Sequence, residues 1–141
     1  MQIKQDTEND AELRTAPPGA KIDVEVQPRY LAGHSQPENG LFFYAYTVTI
    51  TNTGNVGCQL LSRHWVITDG TGQVEEVRGP GVIGQQPYLH PGVSFTYTSG
   101  CPLRTTIGSM YGSYQMVVPD SGEVFDAEIP PFALSRPELL N

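Results

Sequence analysis

The chain has 141 residues, enough for one domain with a sizeable apolar core and no need of disulfides or a structural metal. Its formal net charge of -7, with only eight Lys and Arg scattered along it, works against nucleic-acid and anionic-membrane binding, since both need a positive face. No apolar run is long enough to span a bilayer, and the N-terminal stretch Met1-Gln2-Ile3-Lys4-Gln5-Asp6 lacks an apolar export core, so the expected compartment is the cytoplasm.

Residues 1 to 20 are polar and acidic, with Asp6, Glu8, Asp10 and Glu12, and end in Ala16-Pro17-Pro18-Gly19. Nothing in them alternates or repeats, so a flexible arm is expected there. From Lys21 the pattern changes. Ile22, Val24 and Val26 alternate with Asp23, Glu25 and Gln27, the period-2 signature of a half-buried strand that Pro28 should end. The strongest strand runs from Leu41 to Thr51, with Phe42, Tyr44, Tyr46, Val48 and Ile50 on one face and threonines gathering on the other. Asn52-Thr53-Gly54-Asn55 reads as a turn. The next strand, Val56 to Thr68, carries Leu61, Trp65 and Ile67 on one side, and Asp69-Gly70-Thr71-Gly72 turns the chain into a shorter strand, Val74 to Val77. After Pro91-Gly92, Val93, Phe95 and Tyr97 share a face. Ser99 to Ser109 reads as loop. Met110, Tyr114, Met116 and Val118 then share a face around Gly112, where a glycine inside a strand signals a bulge or a close backbone approach. Phe125, Ala127 and Ile129 define a last strand, stopped by Pro130 and Pro131, with a short tail at 135 to 141. About seven short strands with regular turns and no helix define an all-β, immunoglobulin-like antiparallel β-sandwich over residues 21 to 134.

Cys58 and Cys101 are the only cysteines. Trp65 follows Cys58 by only seven residues and position 99 is serine, so the chain lacks the spacing of a disulfide-linked immunoglobulin domain. Two free thiols are expected.

The stretch Gly79 to Gly92 contains a formal Gly79-x-Gly81-x-x-Gly84 pattern. A dinucleotide fingerprint needs the third glycine to open a helix. Pro80 removes one amide donor, and Pro87 and Pro91 would break such a helix. Ser62 and His64 sit two residues apart on a strand, roughly 7 Å, which is too far for a nucleophile and base. With Asp69 they make no triad. His34, His64 and His90 have no metal-ligand spacing, Glu75 and Glu76 point to opposite faces, and Asp120, Glu123, Asp126 and Glu128 read as a solvated acidic face. Neither a catalytic residue nor a cofactor nor a metal site is expected. Arg63, between Leu61 and Trp65, either stacks on the indole or reaches an anionic group at the glycine loop. Tyr88, Tyr97, Tyr111 and Tyr114 are core trim or a contact surface.

Four separated motifs occur in order: Leu60-Leu61-Ser62-Arg63-His64-Trp65, then Val77 to Pro87, then Pro91-Gly92 through Gly100, then Gly108-Ser109-Met110-Tyr111-Gly112-Ser113-Tyr114. In them, from Lys21 to Leu134, the chain resembles the ApaG family of small bacterial proteins. The resemblance implies a fibronectin type III-like sandwich. It also implies a protein-binding module, since similar domains occur in eukaryotic F-box proteins and in a DNA-polymerase-interacting protein, and an association with cobalt and magnesium resistance without an established reaction. Thr106 stands where the family usually has proline, which is expected to loosen the loop before Gly108, and the arm is longer than typical. The expected role is a non-enzymatic module that binds a protein partner, a second copy included, through a sheet edge or the surface of Gly79, Gly81, Gly84, Arg63, Arg78 and Tyr88. The alternative is a nucleotide or other pyrophosphate ligand held by the amides of Gly81 to Gly84, with Arg63 or Arg78 as counter-charge.

Overall fold

The computed structural model describes residues 13–136, and the expectations for residues 1 to 12 and 137 to 141 lie outside them. Eight strands form in chain order: β1 (Ile22–Tyr30), β2 (Phe42–Asn52), β3 (Cys58–Asp69), β4 (Val74–Pro80), β5 (Tyr88–Leu89), β6 (Ser94–Leu103), β7 (Gly108–Val118) and β8 (Glu123–Leu134). Two single-turn 3-10 segments, Ala32–His34 and Pro37–Asn39, fill the connection from β1 to β2. One sheet has the order β1-β2-β6 and the other β4-β3-β7-β8, with β5 beside β3, and every pairing is antiparallel. The two sheets pack face to face as a sandwich.

The β2 alternation holds: Tyr44, Val48 and Ile50 are buried while Thr47, Thr49 and Thr51 face outward. On that outer face Thr47 meets Thr98 at 2.8 Å and Thr51 meets Ser94 at 2.7 Å across the β2–β6 ladder. From the other sheet, Leu60, Trp65, Met110, Tyr114, Met116, Phe125 and Ile129 complete the core. Trp65 is its aromatic hub, with Tyr46, Tyr114 and Phe132 against it at ring-centroid distances of 5.2, 6.5 and 6.0 Å in edge-on geometry. Each such pair adds about 0.5–1.5 kcal/mol beyond area burial. Cys58 and Cys101 are free and buried.

Three expected strand ends were misplaced, those of β1 and β8 by proline and that of β6 because Ser99 to Ser109 reads as loop. β1 continues through Pro28, β6 through Pro102, and β8 through Pro130 and Pro131 to the fully buried Leu134. All three strands are at sheet edges, where a missing amide breaks no ladder bond on the open side. In β8 the register also shifts where Gly112 stands opposite Ile129, and the bulge absorbs the two prolines. At Gly112 itself a Cβ would lie 2.0 Å from the His64 carbonyl oxygen, the close approach its position in a strand signals. The loop at Thr106 is tied rather than loose, since the Tyr44 hydroxyl donates to the Thr106 carbonyl at 2.8 Å.

The expected arm also needs correction where it is described. Arg14 is fixed to Asp126 of β8, the Asn55 amide donates to the Gly19 carbonyl at 2.8 Å, and Ala16 and Ala20 pack on the core.

Candidate functional site

The glycine-rich stretch is built along one edge of β3. β4 pairs with the later part of β3, from Ser62 to Thr68, and β5 with its start, at Cys58 and Gln59. The connection from Gly81 to Pro87 spans the gap between them. Opposite it, the β3–β7 register shifts between Leu60 and Ser62, leaving Leu61 as a bulge. This reverses the expected placement of Leu61 on the Trp65 face. Cys58 and Leu60 enter the core before the bulge and Trp65 after it, because one extra residue swaps the parity of the strand. The Leu61 carbonyl then accepts two bonds from the connection, from the Gly81 amide and the Gln86 side-chain amide, both at 2.8 Å.

Arg63 reaches the glycine loop and bonds its carbonyls. It follows the parity of Trp65, and its Nη1 donates to the carbonyl oxygens of Pro80 and Gly81, both at 2.9 Å. The guanidinium lies over Gly79, where a Cβ would stand 2.9 Å from Nη2. Gly79 and Pro80 themselves belong to β4, paired with Arg63 and Ser62, so the strand is longer than Val74 to Val77 and the loop shorter.

Gly81 has φ +59°, and a Cβ on it would lie 2.3 Å from the Gln85 carbonyl oxygen. Val82 and Gln85 exchange both backbone bonds, at 2.8 and 2.9 Å, around Ile83 and Gly84. These two central residues have φ +41° and +78°, the positive values a type I′ turn requires. For a β-branched isoleucine this conformation is strained. Val82 is buried, whereas Ile83 is 57% exposed at the tip.

Beyond the turn, the Leu60 amide donates to the Pro87 carbonyl at 3.0 Å, and Gln59 Nε2 donates to the Gln86 carbonyl at 3.0 Å. Tyr88 is 43% exposed, packs edge-on to His90 at 4.8 Å, and lays its hydroxyl where a Cβ on Gly57 would be. Gly79, Gly81, Gly84, Arg63 and Tyr88 are thus brought together along one edge. Arg78 is not. It points to the outer face of β4, with Nη2 3.5 Å from Glu76 Oε1, and that same oxygen lies 2.7 Å from His64 Nε2.

This geometry commits most of the groups that the anion reading invokes. The amides of Gly81 and Val82 are spent on Leu61 and Gln85, Arg63 is spent on two carbonyls, and Arg78 is on the other face of the sheet. The residues written as a triad are likewise separated: the Ser62 hydroxyl donates to Gln115 at 2.7 Å, His64 meets Glu76, and Asp69 accepts from the Thr71 amide and hydroxyl and the Gln73 amide. Those bonds hold the Asp69 carboxyl below its ordinary range, the Thr71 hydroxyl foremost. Burial pushes the Cys101 thiol up to about 11, with Glu75 adding to it, and likewise raises Cys58. Tyr97 is pushed up to about 12 by burial, although its hydroxyl bond with Tyr114 acts in the opposite sense. Among the described residues no group of three or more His, Cys, Asp or Glu converges on a metal-sized site, and no helix is long and apolar enough to cross a membrane.

The residues missed in the sequence are Leu61, Val82, Ile83 and Gln86. An Asn-Gly or Asp-Gly pair would have announced the turn. Ile83-Gly84 does not.

Fold and site together define a small two-sheet β-sandwich with a clamped glycine turn on one sheet edge. The profile of the ApaG domain matches residues 32–118, and the chain belongs to the ApaG family. Protein ApaG of Pseudomonas putida (strain F1) is 55% identical over 124 residues, which cover 88% of this chain and 98% of that one. Protein ApaG of Dechloromonas aromatica (strain RCB) is 54% identical over 121 residues, covering 86% and 94%. A crystal structure of a Bordetella pertussis protein superposes with a TM-score of 0.83 at 49% identity, covering 86% of this chain and 98% of that one. A second X-ray structure, a structural-genomics target, gives 0.79 at 46% identity, covering 85% and 90%.

Proposed function

We infer that the chain is a non-enzymatic, cytoplasmic protein-interaction module, and that its contact surface is the Ile83–Gly84 tip with Tyr88 and the adjoining edge of β4. The observation that carries this reading is Ile83. Glycine or asparagine would occupy its positive φ with less strain, and burial does not explain an isoleucine that is more than half exposed. Strain retained at an exposed apolar residue on a rigidly held turn is the pattern of a contact site. Rigidity also helps binding, because Arg63 and the Leu61 carbonyl have already fixed the turn before a partner arrives. β4 pairs with β3 alone, so its other edge is open to a partner strand. The association with cobalt and magnesium then acts through the partner rather than through metal held by this chain.

The test is Ile83→Gly in the full chain. It should leave stability unchanged or raise it by about 0.5–1 kcal/mol, because relief of the left-handed strain outweighs the entropy of a new glycine. Partner recovery should nevertheless fall, while Thr96→Ala on the outer face of the other sheet leaves it intact. Equal recovery by the two variants would refute the reading.

A further inference from the structure

We propose that the β8 edge at Asp126 is a docking site for an extended, arginine-bearing segment of a partner protein, which residues 13 to 20 of this chain occupy in cis. This edge is on the opposite side of the β4-β3-β7-β8 sheet from β4, so the proposal stands apart from the Ile83 tip.

The site is a carboxylate that needs a cation. With residues 13 to 20 on the edge, the Asp126 side chain is only 7% exposed. Its Oδ2 accepts from the Arg14 amide at 2.7 Å and from Arg14 Nε at 3.0 Å, and its Oδ1 accepts from Arg14 Nη2 at 3.2 Å. The Asp126 amide in turn donates to the Arg14 carbonyl at 3.0 Å. A backbone bond from an edge strand to an extended segment, with a side chain read alongside it, is how β-strand addition works. Whatever lies on this edge must bring a cation, because a buried carboxylate left unpaired is strongly disfavoured.

The acceptor is also set independently of Arg14. Gln115 Nε2 donates to Asp126 Oδ1 at 3.2 Å and to Ser113 Oγ at 3.0 Å, and the Ser62 hydroxyl fixes the other end of that amide. The Arg14 side chain is half exposed, so solvent weakens its hold and a competing segment can reach the pair. A second copy's β8 fits poorly here: antiparallel pairing about Asp126 would set the Asp126 carboxylates of the two copies directly opposite each other, and like charges across a ladder repel. Charge complementarity therefore selects an extended segment with an arginine. The chain's own arm, tethered at an effective concentration on the order of millimolar, sets the threshold such a segment must exceed.

The experiment is an amide-resolved NMR titration of the full-length Arg14→Ala protein with a synthetic peptide of the chain's own residues 13 to 20. Saturable shifts at the Asp126 amide and the Gln115 side chain are expected. The same peptide with Arg14→Ala should produce none, and wild-type protein should bind about tenfold more weakly or less, because its own arm competes. Absence of saturable shifts at millimolar peptide, equal binding of the two peptides, or equal binding by wild type would overturn the proposal. Hydrogen exchange of the wild-type protein gives an independent reading even if Arg14→Ala fails to fold. The Asp126 amide should exchange by a local opening that denaturant does not accelerate. Exchange only with global unfolding, or a concentration-dependent dimer that swaps this arm, would also count against it.

Discussion

Arg63 reaches beneath Gly81 and donates to its carbonyl oxygen at 2.9 Å, so an inward-facing cation fixes the turn that presents Ile83. The same nitrogen holds Pro80, and the Gly81 amide is held from the other side by Leu61. Clamp and bulge act on one turn.

Arg63→Ala removes two charge-assisted bonds and leaves two carbonyls without their donor. It should cost about 1.5–3 kcal/mol in urea unfolding and expose the Val82 amide to exchange. Gly81→Ala should cost about 1–3 kcal/mol, because its Cβ meets the Gln85 carbonyl in a left-handed conformation. A tolerated Gly81→Ala would mean that the turn is not held as described.

Asp126 links stability to acid. Burial opposes ionisation of its carboxyl, but bonds from the Arg14 side chain and backbone and from Gln115 outweigh it and hold the group below its ordinary range. A carboxylate depressed in the folded state adds stability above its unfolded pKa, about 3.9, and that stability is lost as pH falls through the lower folded value. Since Arg14 is half exposed, solvent screens the pair, and Asp126→Asn should cost up to about 1 kcal/mol at pH 7 and much less near pH 2. An equal cost at both pH values would exclude the linkage.

Much of the fold was legible because its strands alternate. Phe42 to Ile50 and Phe125 to Ile129 announce their buried faces in the sequence, and the ApaG motifs led to the same sandwich. The prolines misled because their effect depends on whether a strand is at an edge, a property of the assembled sheet. The bulge at Leu61 was hidden for a similar reason: parity is reset by pairing with β7, not by any residue within β3. Arg14 looked like part of a free arm because its partner is 112 residues away. At the site, the three glycines and Arg63 stood out by type, but which group spends its hydrogen bonds on which could only be seen in three dimensions.

The two thiols should be unreactive in the native protein. Alkylation needs the thiolate, and burial disfavours it at both positions, with Cys101 pushed up to about 11. A thiol raised in the folded state adds stability that is complete below its unfolded pKa, about 8.5, and is lost as pH rises through the folded value. Iodoacetamide at pH 8 should modify neither cysteine until urea is added, as read by intact mass. Rapid native modification would contradict the burial.

Titration with ATP, with and without magnesium, should give no saturable amide shifts from Gly79 to Gln86, because the Leu61 carbonyl of β3 holds the Gly81 amide, Gln85 holds that of Val82, and the carbonyls of Pro80 and Gly81 hold the Arg63 guanidinium. Saturable shifts there, abolished by Gly81→Ala, would reinstate the anion reading.

The most direct measurement is site-specific photocrosslinking in growing cells, with the photoreactive residue at position 83 and, as control, at position 96 on the outer face of the other sheet. The account predicts a discrete protein adduct from position 83 and none from position 96. No adduct at 83, or the same adducts from both positions, would contradict the assignment of the clamped turn as the contact surface.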